Sequence, residues 1–211
     1  MEPGACKRKS GFASAVNKTK TIYILEGDIF MSYEEEQVRF YYVVLNGAHE
    51  THWLADECVK KQFLNQLLKT REKVSFRVYA FCILDQEAHF LLSIPEGKSI
   101  RRTTEKIAHE LQKCYLKQYP QGREKVTVKN KFLPSCSMET VLKHCCRIHL
   151  LARGYAQRIQ DYWWSSYTEY LSKSVTGLVE TEAVLDFLDA EPRRALQKFI
   201  SYHKKMMQST S

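Results

Sequence analysis

The chain has 211 residues, 44% of them hydrophobic, which is enough for one packed domain with an extension. No apolar run approaches the roughly 20 residues that cross a bilayer, so no membrane partner is expected. The net charge of +8 favours polyanionic partners, chiefly nucleic acid, with a basic surface kept for solubility as the bland alternative.

The N-terminal stretch MEPGACKRKSGFASAVNKTK has basic residues but no continuous apolar segment, so it reads as a flexible lead and not as a secretory signal. A short acidic patch, MSYEEEQ, follows at 31–37. RFYYVVLNG (39–47) is aromatic and β-branched and ends in Asn-Gly, a strand followed by a turn. Over 54–72, Val59, Phe63, Leu67 and then Leu64, Leu68 recur at helical spacing, with Asp56 placed to cap the helix. Residues 74–84 return to β composition. A tight turn at Asp85–Glu87 leads into a further strand, AHFLLSI (88–94).

The helix expected at 100–118 divides its residues by face. Ile100, Ile107, Leu111 and Cys114 share one side, whereas Arg102, Lys106, His109, Lys113 and Lys117 share the other. In KVTVKNKF (125–132), Lys125, Thr127, Lys129 and Lys131 alternate with Val126 and Val128, giving a strand with a basic face. A further helix spans 137–154 with Ser137 as its cap, and DYWWSSYTEYL (161–171) is rich in aromatics. Two more helical patterns follow, the second opened by Pro192. Hairpin-linked strands with helices on one face predict an α+β fold with a mainly antiparallel sheet. Seven scattered cysteines without a CxxC suggest neither a zinc knuckle nor a disulfide framework, and reduced thiols point to the cytoplasm.

Three pieces, RFYYVVLNG, FRVYAFCILDQEAHFLLS and RIHLLARGYAQRIQDYWWSSYTEYL, resemble the REP-associated tyrosine transposases in order and spacing. These belong to the single-tyrosine HUH transposases. The resemblance covers roughly 39–171 and implies an RRM-like, ferredoxin-like antiparallel sheet. It further implies a histidine pair that holds a divalent metal, Mg or Mn, a helix tyrosine that attacks a DNA phosphate, and single-stranded or hairpin DNA as the partner. It divides the chain into a lead (1–35), a transposase-like domain (36–160) and an aromatic-rich C-terminal helical extension (161–211).

Carried across residue by residue, the family's site departs at two positions. Glu87 stands where the first histidine of the HUH pair belongs, followed by Ala88 and His89 in register. Arg147 stands at the tyrosine, ahead of Ile148, His149 and Leu150 in register. The Asn-Pro after this run is missing, and Asp85–Gln86 replaces the Pro-Asn before the histidine pair.

Glu87 and His89, at i and i+2 of a strand, point to one side and form a chemically acceptable oxygen–nitrogen pair for Mg²⁺ or Mn²⁺. The competing reading makes Glu87 a solvated turn residue and His89 a satisfied strand histidine. Arg147 cannot be a nucleophile, because its guanidinium stays protonated. With Lys143 one turn away it could grip phosphate. Arg102, Lys106, Lys113 and Lys117, joined by Lys125, Lys129 and Lys131, make a reasonable DNA footprint. Trp163 and Trp164 could stack on bases, or could close the core under the last helices.

Three functions follow as expectations: a DNA-binding protein derived and domesticated from a transposase, with strand cleavage lost; a divergent metal-dependent transposase or endonuclease using Glu87 and His89; or an interaction protein without a DNA role.

Overall fold

The computed structural model describes residues 17–25, 28–36, 38–48, 52–134, 137–172 and 176–209, with the backbone alone given for 17–36. Two strands, β1 (Asn17–Leu25) and β2 (Asp28–Glu36), pair antiparallel as a separate two-stranded ladder. Part of the expected flexible lead is therefore regular structure, while residues 1–16 lie outside the described residues.

The main sheet contains β3 (Val38–Gly47), β4 (Arg77–Ile83), β5 (Glu87–Pro95) and β6 (Val126–Leu133) in the order β4-β5-β3-β6, every pair antiparallel. Period-two alternation sorts the side chains of β3. Tyr41, Val43 and Leu45 join one apolar cluster, whereas Phe40 joins another with Tyr42 packed against it. In β5, Ala88, Phe90, Leu92 and Ile94 go to the first cluster and Leu91 to the second. Both faces of the sheet are thus covered, which explains why β4 and β5 read as nearly unbroken apolar runs.

Helices α1 (Glu57–Lys73) and α2 (Ile100–Gln118) cover the first face, as the sequence predicts. Asp56 caps α1 by accepting from the Cys58 amide at 2.7 Å. Phe63 of α1 meets Phe90 of β5 edge-on, with ring centroids 6.0 Å apart. Burying one such ring contributes about 1.5–3 kcal/mol.

The second face is covered by α3 (Met138–Leu150), whose Val141, Cys145 and Ile148 point inward, and by the C-terminal segments. Those segments hold a short helical turn, α4 (Tyr167–Tyr170), then α5 (Thr181–Leu188) and α6 (Pro192–Ser209). Phe199 of α6 stacks on Tyr170 with centroids 4.4 Å apart, and both rings are fully buried.

The aromatic-rich stretch also closes the outer edge of β4. The Ile83 amide donates to the Trp164 carbonyl at 2.8 Å, the Tyr162 hydroxyl to the Ile83 carbonyl at 2.7 Å, and the Glu180 amide to the Val78 carbonyl at 2.8 Å. Val78 bridges Val179, and Cys82 bridges Ser165. The free groups of an edge strand are satisfied here by its own chain.

Candidate functional site

The sheet and α3 bring the resemblance-mapped positions to one face. A turn closed by the Leu84 amide donating to the Glu87 carbonyl (2.8 Å) starts β5 at Glu87. Glu87 and His89 then share a side, and their side chains bond to each other, Glu87 Oε1 to His89 Nε2 at 2.7 Å. The other ring nitrogen, Nδ1, lies 2.7 Å from the hydroxyl of Tyr42 on the neighbouring β3. A carboxylate can only accept, so the hydrogen-bond network assigns the proton to Nε2. Tyr42 therefore donates to Nδ1. His89 is buried, and burial holds its pKa below the ordinary value despite the carboxylate beside it. Burial, helped by the charge of Glu87, pushes the Tyr42 phenol up to about 12.

Around this chain the cations gather. Across the β3–β6 ladder Tyr42 lies opposite Lys131, and Val44 opposite Lys129, so both lysines belong to the Tyr42 side of β6. From α3, the His144 ring approaches Tyr42 with centroids 6.3 Å apart. Burial first, and then the charges of Arg147, Lys131 and Lys143, keep the His144 pKa below its ordinary value. Among the described residues, Lys129, Lys131, Lys143 and Arg147 form no ion pair. Unneutralised cations on one face repel each other and favour an anion near them.

Glu87 and His89 supply two donors to a divalent metal, and no third His, Cys, Asp or Glu joins them among the described residues. In this structure the two donor atoms, Glu87 Oε1 and His89 Nε2, are 2.7 Å apart, and Tyr42 engages the remaining imidazole nitrogen, as an outer partner does for a ligating histidine. No group of three or more His, Cys, Asp or Glu side chains suited to a metal occurs among the described residues.

The remaining expected site residues lie elsewhere. Arg102, Lys106, Lys113 and Lys117 ride on α2, on the opposite layer of the sheet. Lys106 pairs with Glu110 at 2.8 Å, and Lys113 approaches the same carboxylate at 3.9 Å. Lys125 precedes β6 and lines a shallow hollow with His109 and Gln112 of α2. The footprint expected as one stripe is therefore divided between two faces. A hollow of about 550 Å³ lined by Trp53, Tyr115 and Tyr119 belongs to the α1/α2 layer and not to the Glu87 face.

The two tryptophans separate as well. Trp164 packs against both apolar clusters, and the buried Lys60 ammonium lies 5.8 Å from its ring centre. It is a packing residue, and Lys60 is neutralised by Asp85 at 2.7 Å. Trp163 is 62% exposed and free to stack.

The sequence reading missed Tyr42 and His144. Alternation within RFYYVVLNG puts Tyr42 opposite the Tyr41–Leu45 side, but its meeting with His89 depends on strand register. It also missed a buried chain linking α3 to α6. His203 Nδ1 donates to the Phe199 carbonyl at 2.9 Å, so its Nε2 accepts from His149 Nδ1 at 3.0 Å. The His149 Nε2 then accepts from the Ser166 hydroxyl at 2.8 Å. Both rings are fully buried and neutral. Burial drives His149 well below the usual imidazole value and His203 down to about 4.

No protein-family model matches the chain, and no curated protein matches it. Among solved structures, it is similar to a REP-associated tyrosine transposase bound to a REP hairpin. The TM-score is 0.51 at 14% identity, over 68% of this chain and 83% of that one. It is also similar, at a TM-score of 0.37 and 10% identity, to a bacterial tRNA(His) guanylyltransferase-like protein in complex with ATP, over 71% of this chain and 66% of that one. The second likeness is too loose to carry an argument. The first shows a shared fold.

Proposed function

We propose that this protein is a transposase-derived DNA-binding protein that grips the phosphates of single-stranded or hairpin DNA, with metal-dependent strand cleavage lost. The observation that carries the reading is the set of unpaired cations, Lys129, Lys131, Lys143 and Arg147, around the Tyr42–His89–Glu87 chain. Three of the residues named by the resemblance, Glu87, His89 and Arg147, fall on that face. The shared fold with a transposase bound to a hairpin supports the same partner class.

The residues divide the work physically. Arg147 offers a planar fork to phosphate oxygens, while Lys129, Lys131 and Lys143 act as point charges. Trp163 supplies an exposed ring for an unpaired base. Arg102, Lys106, Lys113, Lys117 and Lys125 add to the long-range field from other sites on the molecule. Glu87 at the histidine position and Arg147 at the tyrosine position remove the family's covalent route. In this reading 36–160 is the binding domain, braced by the described helices of the 161–211 extension. A cytoplasmic setting suits the free thiols.

Fluorescence anisotropy with hairpin, single-stranded and duplex DNA between 50 and 200 mM salt tests this. The expected result is steeply salt-dependent binding that favours hairpin or single strands. Binding equally tight at both salt concentrations, or none at either, would refute it. Incubation with hairpin DNA and Mn²⁺ before denaturing electrophoresis should give no protein–DNA band. A band lost in Glu87→Ala and His89→Ala would establish the enzyme reading instead.

A further inference from the structure

We propose that the free edge of β6 receives the β1–β2 hairpin of a second copy of this chain, with the acidic strand β2 pairing antiparallel to β6. The inference goes beyond the DNA-binding reading and does not rest on it.

The two ends of the main sheet differ. The outer edge of β4 is closed by its own chain, whereas β6 pairs with β3 alone among the described residues. In an antiparallel pair, residues alternate between those whose peptide groups face the partner and those whose groups face away. The Ala48 amide donates to the Lys125 carbonyl at 3.0 Å, so Lys125, Thr127, Lys129 and Lys131 turn their peptide groups towards β3. Val126, Val128, Asn130 and Phe132 turn theirs outward. The Val126 amide fixes this phase independently, because it donates to Gln112 Oε1 of α2 at 2.8 Å. Among the described residues the outward groups of Val128, Asn130 and Phe132 have no such partner. Such an edge is a template for another strand. Phe132, 49% exposed, stands on the α1/α2 side beside Tyr41, and the unpaired Lys129 and Lys131 stand on the other side.

The hairpin supplies a matching edge. Among the described residues β1 and β2 pair only with each other, and a two-stranded hairpin by itself is marginal in water. Two residues separate Leu25 from Asp28, and a connection of that length makes the closing pair a hydrogen-bonded one. Alternation from that pair turns the peptide groups of Tyr33 and Glu35 away from β1. With Tyr33 set opposite Phe132 and Glu35 opposite Asn130, outward peptide groups meet outward peptide groups. The same register sets Glu34 opposite Lys131 and Glu36 opposite Lys129. Aromatic pairs and opposite charges at directly opposed positions both stabilise an antiparallel ladder.

Connectivity makes the donor a second copy. Gln37 alone separates Glu36 from Val38, and two Cα steps span about 7 Å. In this register Glu36 stands beside Lys129, whereas Phe40 of β3 lies opposite Leu133, four residues or about 13 Å further along β6. Val38 lies further still, so a chain cannot lay its own hairpin there. Pairing of β6 with β6 of a second copy is disfavoured, because centring it on Asn130 sets Lys129 opposite Lys131 of that copy. Lys129 and Lys131 also belong to the proposed DNA grip. Self-association and DNA binding are therefore alternative uses of the same two charges.

The test is analytical ultracentrifugation of the full chain without DNA, over a range of protein concentrations at 50 and 200 mM salt. The expected result is concentration-dependent association that weakens at the higher salt. Lys129→Glu with Lys131→Glu, and separately Glu34→Lys with Glu36→Lys, should each lose it. An equimolar mixture of these two double variants should regain it, because every hairpin then meets an edge of opposite charge. Asn130→Pro removes an outward amide and no hydrogen bond to β3, and should weaken association at unchanged charge. Thermal melts establish that each variant is folded.

A chain that is monomeric at every concentration would overturn the inference. Association that survives both double reversals, or double variants that stay monomeric when mixed, would overturn the assignment to β2 and β6. Each of these failures leaves the DNA-binding reading standing, and failure to bind hairpin DNA would leave this inference standing.

Discussion

The two faces of the sheet are built from similar materials and put them to different uses. The α1/α2 face buries an apolar layer and spreads its basic residues over α2, where Glu105 and Glu110 stand among them and pair with Arg101, Lys106 and Lys113. The α3/β6 face carries Lys129, Lys131, Lys143 and Arg147, none of them in an ion pair among the described residues, and its nearby carboxylate, Glu87, is bound to His89. Counting lysines does not tell these faces apart. The way the charges are paired does, because interspersed carboxylates make a solvated surface and their absence makes a surface that favours an anion.

The largest effect that sharpens this contrast is expected in the second apolar cluster. Phe199→Ala removes a fully buried ring between Tyr170 and His203 and should cost about 3–5 kcal/mol in urea unfolding. Because that cluster supports α3, hairpin affinity should fall as well. Phe63→Ala in the other cluster should cost a similar amount yet leave the affinity of the folded fraction unchanged. Equal loss of affinity in both variants would break the comparison.

Next comes acid sensitivity. His149 and His203 are held neutral in the fold, below the ordinary imidazole value of about 6.5. Their contribution is intact above that value. As pH falls from about 6.5 towards the folded value of about 4 for His203, the unfolded chain binds protons that the folded one refuses. The loss from His203 alone is on the order of 3 kcal/mol. Urea midpoints at pH 7, 5 and 4 should show it, and His203→Leu should flatten the dependence.

A smaller change is expected from charge reversal. Lys131→Glu with Arg147→Glu should make the log–log salt slope of hairpin binding shallower by about one to two units. Arg102→Glu with Lys117→Glu should act more weakly, through the long-range field alone. The smallest effect belongs to Lys106→Ala, which removes a partly exposed pair with Glu110 and should cost about 0.2–1 kcal/mol, with a change in affinity smaller than that of the Arg102/Lys117 reversal.

Much of the architecture was legible in the chain. Asn-Gly after RFYYVVL, the Val59/Phe63/Leu67 spacing, the Ile107/Leu111/Cys114 face and Pro192 each marked an element found within a few residues of its expected bounds. Pattern within a segment was enough for these, because period and caps are local properties. The site was less legible because it is made by register between segments. The pairing of Val44 with His89 brings Tyr42 within reach of Nδ1, and no local pattern encodes that pairing. The basic stripe proved divided between faces for a related reason. Helix periodicity shows that α2 has a basic side but not which layer of the sheet α2 covers. Trp163 and Trp164, adjacent in sequence, divided into one exposed and one packed ring because the backbone at Trp164 also hydrogen-bonds the edge of β4.

That edge has a consequence for how the chain is made. β4 completes its outer hydrogen bonds only with residues 162–180, which emerge about 80–100 residues after it. At ribosomal rates of roughly 5–20 residues per second, an apolar strand spends roughly 5–20 seconds with one side unpaired. Until Val179 arrives, then, β4 offers its outer edge to a neighbouring nascent chain, and the late C-terminal segment is what withdraws that edge.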